Sequence, residues 1–133
     1  MTNPQHTAPI LVTGATGYIA SWVIKNLLEH GHTVNATVRD LKKKHSFAHL
    51  DKIAAETTGT LKLFKANLLE PHSFDDAMQG CEIVLHMASP FVVSNFKDAV
   101  KDIIEPAILG TENVLNSVNK TESVKRVVVT SSI

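Results

Sequence analysis

Residues able to do chemistry fall into a few short runs, each at the end of an apolar stretch. The first is Val12-Thr13-Gly14-Ala15-Thr16-Gly17-Tyr18-Ile19-Ala20. Two glycines three apart stand between an aliphatic run and a helical pattern. Gly14 lets the chain turn sharply where a strand ends, and Gly17 lets backbone come close to a phosphate oxygen. Ala20 takes a third small position, where a helix packs tightly on the strand. The free N–H groups of the first helical turn, together with the helix dipole, then face a pyrophosphate. The spacing is Gly-x-x-Gly-x-x-Ala rather than Gly-x-Gly-x-x-Gly, so a plain tight strand-to-helix turn is the competing reading.

The second run is Val38-Arg39-Asp40, followed by Lys42-Lys43-Lys44. An acidic residue at this place would hold an adenosine ribose, whereas an arginine suits a 2′-phosphate through its planar fork. Arg39 is the candidate, with Lys43 adding a point charge; the alternative is a solvated helix start. Asn67-Leu68 follows the third apolar run, where an adenine ring would lie. The Asn67 amide can accept a bond from the adenine amino group and donate one, or be a simple polar loop residue. His86-Met87-Ala88-Ser89-Pro90-Phe91 ends a fourth run, and small Ala88 and Ser89 would let a cofactor lie against backbone. His86 itself is expected to be a packed strand residue rather than a base. Ser131-Ser132 end a fifth run at the same edge, pointing to a nicotinamide region or serving merely as turn residues. His45 and His49 have a spacing that metals use, but no third ligand is evident and no metal site is expected. Cys81 is expected to be a small buried filler.

The elements that must position these residues alternate throughout. Ile10–Val12 suits a strand buried on both faces. A helix follows, with Ile19, Trp22, Val23, Asn26 and Leu27 as its inner face and Gly31 as its stop. Thr33–Val38 is a second strand, and a helix runs through Phe47, Leu50, Ile53 and Ala54 to Gly59. Leu61–Ala66 is a third strand, Pro71–Gln79 a short helix and Glu82–Met87 a fourth strand. Phe96–Asn119 is one long helical region, with Val100, Ile103, Ile104, Ala107, Ile108, Val114, Leu115 and Val118 as its apolar face. Pro106 should kink or interrupt it. Val124–Thr130 is the fifth strand. The connections are too long for hairpins, so the pattern predicts an α/β, doubly wound parallel sheet of Rossmann type in the order 3-2-1-4-5.

The chain has 133 residues, enough for one domain with a real core. Residues 1–8 are expected to be a flexible tail and 9–133 the nucleotide-binding domain. Thirteen basic residues balance thirteen acidic ones, which speaks against nucleic-acid or acidic-membrane partners. A lone cysteine rules out an internal disulfide and suits a reducing, cytoplasmic setting. The opening residues lack a signal-peptide pattern, and no apolar run approaches the roughly 20 residues of a membrane span.

Taken together, Val12 to Trp22, Ala36 to Asp40, His86 to Phe91 and Val124 to Ser132 resemble the first half of an extended short-chain dehydrogenase/reductase. The likeness is to the dihydroflavonol 4-reductase-like group, which includes cinnamoyl-CoA and aldehyde reductases. It implies NADP(H) and reduction of an aldehyde or ketone carbonyl to an alcohol. It also implies that Gly14, Gly17, Tyr18 and Ile19 cradle the pyrophosphate, with Thr13 in the same matching stretch. Arg39, with Lys43, would hold the 2′-phosphate. Ala88 and Ser89 would line the cofactor, and Ser132 would hydrogen-bond the substrate carbonyl as the catalytic serine.

The sequence departs from that group at Asn67, where aspartate is usual; Pro106 occupies the region where classical relatives place a structural asparagine, although this subgroup often carries proline there. The Tyr-x-x-x-Lys pair that donates the proton is not found, since the single tyrosine is Tyr18. A fifth strand at the sheet edge with no following helix leaves aliphatic side chains uncovered, each worth roughly 1.5–3 kcal/mol when buried. The chain is therefore expected to be the truncated cofactor half of a reductase and inactive alone. Two alternatives stand beside this: a non-catalytic dinucleotide-binding or interaction module, and an NAD-dependent sugar-nucleotide epimerase or dehydratase. Arg39 speaks against the latter.

Overall fold

The computed structural model of the chain describes residues 8–88, 98 and 100–130. Most of the expected tail, Ser89, the first residues of the long helical region and Ser131-Ser132 lie outside the described residues. Five parallel strands form one sheet in the order 3-2-1-4-5, as the alternation predicts. They are β1 (Ile10–Val12), β2 (Thr33–Val38), β3 (Thr60–Lys65), β4 (Ile83–His86) and β5 (Arg126–Val129). The helices are α1 (Tyr18–Glu29), α2 (Ala48–Glu56), α3 (Asp75–Met78) and α4 (Glu105–Lys120).

Successive residues of a strand point to opposite faces, and β1 uses both. Ile10 and Val12 join Ile24 and Leu28 of α1, Leu50 of α2, and Val34 and Ala36 of β2 in one core. Leu11 joins Ala77 and Met78 of α3, Val84 of β4 and Val114 of α4 in the other. Continuous aliphatic strands are what a sheet covered on both sides requires. Cys81 lies in the second core, and desolvation pushes its thiol up to about 11, so it stays protonated filler.

Three elements differ from the sequence expectation. The inner face of α1 is Ala20, Ile24 and Leu28, whereas Ile19 and Trp22 are exposed. Ala20 permits close approach to the sheet, and the indole is too large for that seam. The third helix starts at Asp75 rather than Pro71, because His72 has φ +66°, a left-handed conformation that no right-handed helix can pass through. The long helical region opens with a wider π-type turn, Val100–Ile104, before α4, and Pro106 sits in the first turn of α4. Proline has no N–H to give the preceding turn, so the ladder is reset there. The buried residues of α4 are Gly110, Asn113, Val114 and Ser117, whereas Val100, Ile104, Ile108 and Leu115 are exposed. Among the described residues no helix is long and apolar enough to cross a membrane.

Candidate functional site

A cleft of about 900 Å³ opens along the carboxyl ends of β1 to β4, where open α/β sheets take ligands. Gly14, Gly17, Arg39, Lys43, Asn67, Leu68 and Ala88 all line it. Thr16, Thr37, Ser46, Phe74 and Met87 line it too and were not proposed as contacts from the sequence; His45, weighed there only as a metal ligand, lines it as well. His45 and Ser46 share the turn of Arg39 and Lys43, which is the signal that would have placed them in the cleft.

The corner after β1 is built by close approach. Gly14 has φ +66°, and a Cβ there would lie 2.7 Å from the Ala88 Cα. The bare backbone thus lets the tip of β4 come against the corner. The Ala15 N–H donates to the Thr37 carbonyl at 3.1 Å, which ties the same corner to β2. Gly17 is extended at the start of α1, and no side chain caps the helix. The Ser21 N–H closes the first helical bond on the Gly17 carbonyl. The N–H groups of Tyr18, Ile19 and Ala20 have no backbone acceptor among the described residues. Such donors at a helix N-terminus attract an anion. The side chains of Tyr18, 80% exposed, and Ile19 do not line the cleft.

Thr13 is wholly buried and does not line the cleft. Its Oγ accepts the Met87 N–H at 2.9 Å and the Ala88 N–H at 3.0 Å. Its own proton then goes to His86 Nδ1 at 2.8 Å, which requires a neutral imidazole with the proton on Nε2. Burial holds the His86 pKa below its ordinary value, in keeping with that form. His86 is therefore a packed strand residue that fixes the β4 tip.

On the other side of the cleft the turn after β2 is basic and open. Asp40 Oδ1 accepts the Lys42 N–H at 2.9 Å, and Ser46 closes on the Lys43 carbonyl. Arg39 is exposed and makes no ion pair among the described residues, so its fork is available. His49 does not join His45 in the cleft; its Nε2 lies 2.9 Å from the Ser21 hydroxyl.

The Asn67 amide is partly committed. Its Oδ1 accepts the Leu69 N–H at 2.9 Å, and its backbone pairs in both directions with Ser73 Oγ. One of the two acceptor sites of the Asn67 amide oxygen is thus used within the loop, and among the described residues its Nδ2 has no partner.

Known proteins share this sequence and architecture. A cinnamoyl-CoA reductase of Medicago truncatula is 52% identical over 124 residues, 93% of this chain and 37% of the relative. A dihydroflavonol 4-reductase of Solanum lycopersicum is 40% identical over 130 residues, 98% of this chain and 34% of the relative. The crystal structure of Gre2 from Candida albicans in complex with NADPH is 32% identical and superposes with a TM-score of 0.77, over 94% of this chain and 37% of that one. The chain thus spans a little over a third of the length of these relatives. Residues 10–133 match the profile of the NAD dependent epimerase/dehydratase family, and the chain belongs to that family.

Proposed function

We propose that the cleft binds NADP(H) and that the chain is the cofactor-binding part of an oxidoreductase reducing an aldehyde or ketone carbonyl to an alcohol. The observation that carries this reading is the meeting, in one cleft, of an anion-ready corner with an exposed arginine that makes no ion pair among the described residues. The N–H groups of Tyr18 and Ile19, with Gly14 and Gly17, would receive the pyrophosphate. Arg39, helped by Lys43, would pair with the 2′-phosphate, to which a guanidinium fork is matched. Asn67 and Leu68 would border the adenine, and Ala88 and Ser89 would let the cofactor lie against backbone. Thr13 acts behind these, by setting the β4 tip.

When bound, a reduced nicotinamide supplies hydride to a carbonyl carbon. On the resemblance to reductases, Ser132 would hold the substrate oxygen through its hydroxyl. A positioned proton donor for such a step is worth roughly 10²–10⁴-fold in rate. Tyr18, the one tyrosine of the sequence, is not placed for that role, because its side chain lies outside the cleft. The 133-residue chain is therefore expected to bind cofactor with little or no turnover. The buried lone cysteine suits a reducing, cytoplasmic setting.

The test is Arg39→Asp, titrated with NADPH and NADH. Charge-assisted bonds of this kind are worth about 1.5–3 kcal/mol, so NADPH should weaken by about tenfold or more while NADH changes little. Equal effects on both would remove Arg39 from the phosphate site and favour an NAD-dependent epimerase or dehydratase. Failure of the wild-type chain to bind NADPH would overturn the cofactor reading.

A further inference from the structure

We infer that Asn113 of α4, which does not line the cleft, is the positioning residue for the wall that meets the nucleobase. The inference rests on the cleft being a site for a phosphorylated adenine dinucleotide. Sheet pairing ends at Ala66, whose N–H reaches the Val38 carbonyl, so the strands do not set the place of Leu68. Among the described residues no backbone N–H reaches the Leu68 carbonyl. Asn113 supplies the missing donor: its Nδ2 lies 2.6 Å from that oxygen, and the residue is buried.

Gly110, one turn earlier, grips the same residue from its other end. A Cβ on Gly110 would stand 3.2 Å from Leu68 Cβ and 3.3 Å from Cδ2. Carbonyl and side chain of Leu68 are thus both fixed by α4. One turn further on, the Ser117 hydroxyl donates to Asp75 Oδ1 at 2.6 Å, and Lys120 reaches Asp75 Oδ2 at 2.6 Å. Residues 110, 113 and 117 form one buried stripe at helical spacing, which Lys120 continues at the surface. Buried polar groups need fixed partners, and Asn113 and Ser117 have theirs in Leu68 and in Asp75, the first residue of α3. The helix that abuts the sheet on one side thereby sets where Leu68 and the Asn67 amide stand in the cleft.

The experiment compares adenosine 2′,5′-bisphosphate, which carries the base, with inorganic pyrophosphate, which does not, on the full chain by calorimetry. Asn113→Ala should weaken the bisphosphate about tenfold, which is about 1.4 kcal/mol, and leave pyrophosphate within about twofold. Asn113→Asp keeps the shape without the donor and should behave like alanine. Gly110→Ala, which presses on Leu68 without touching the bond, should act in the same direction and carries the test if Asn113→Ala does not fold. Equal weakening of both probes, or full retention by Asn113→Asp, would overturn the inference and leave the cofactor reading intact. A wild-type chain that binds neither probe would overturn both.

Discussion

At the scale of single residues, the buried pair Thr13 and His86 makes a pH-dependent contribution whose sign can be worked out. Burial lowers the His86 pKa from its ordinary 6.5, so the unfolded chain binds a proton more readily than the folded one. The neutral imidazole is needed to take the Thr13 proton. Its stabilising effect is complete above about pH 6.5 and is lost as the pH falls through the lowered folded value. The urea midpoint should therefore drop between pH 7.5 and 5 in the wild type, and the drop should shrink in His86→Gln. An unchanged pH slope in that variant would show that other histidines set it. This pair was not legible as a pair from sequence, because its members are 73 residues apart. His86 could be read as a packed strand residue, but nothing local announces that Thr13 is its partner. The Leu69 N–H on the Asn67 side chain is the reverse case: the bond is local, yet Asn-Leu-Leu in a loop also fits an amide facing outward.

Among the elements, β2 matches its sequence boundaries at both ends, because a run of β-branched residues between a glycine turn and a charged tip leaves few alternatives. The facing of α2 was legible, since Phe47, Leu50, Ile53 and Ala54 all meet the core as their spacing predicts, whereas that of α1 and α4 was not. On α1 the largest apolar residues, Ile19 and Trp22, point outward, with Lys25 Nζ 5.0 Å from the indole centroid. Small Ala20 and its i+4 and i+8 neighbours carry the contact instead. On α4 the loop ahead of α3 and the first residue of that helix demand donors, so Asn113 and Ser117 displace the wider apolar stripe from the inner face. Hydrophobic periodicity ranks apolar faces by size and cannot see that a partner surface is polar. The turn at Gly14, by contrast, was legible, since its left-handed φ is one that glycine supplies, whereas Gly17 at φ −68° has a backbone any residue adopts. Gly14→Ala should cost about 3 kcal/mol, from the left-handed φ together with the 2.7 Å approach to Ala88. Thermal unfolding measures it, and a variant as stable as wild type would mean that the β4 tip yields.

For the molecule as a whole, the parallel sheet followed from strand–helix alternation, since parallel strands need crossovers, and its order 3-2-1-4-5 is one of those that doubly wound sheets adopt. What alternation does not show is how the outer surface is used. Ile104 just ahead of α4 and Ile108 and Leu115 within it are exposed, as are Val128 and Val129 of the edge strand β5. Open strand edges and apolar patches of this kind promote association. The 133-residue chain should gain mass with concentration in sedimentation up to about 0.1 mM, and Val128→Lys should reduce the gain. A monodisperse monomer over that range would show that β5 is shielded.

The bonds from Thr13 to the β4 tip, with Gly14 pressed on Ala88, weld one bank of the cleft into a single piece. The opposite bank, from Arg39 to Ser46, is a solvent-washed turn held mainly by its own backbone. If the cleft takes a phosphorylated nicotinamide nucleotide as proposed, drift in nucleotide preference across descendants of this chain has its room on that open bank. A substitution there would exchange a phosphate for a sugar hydroxyl, whereas one on the welded bank would cost the corner its shape.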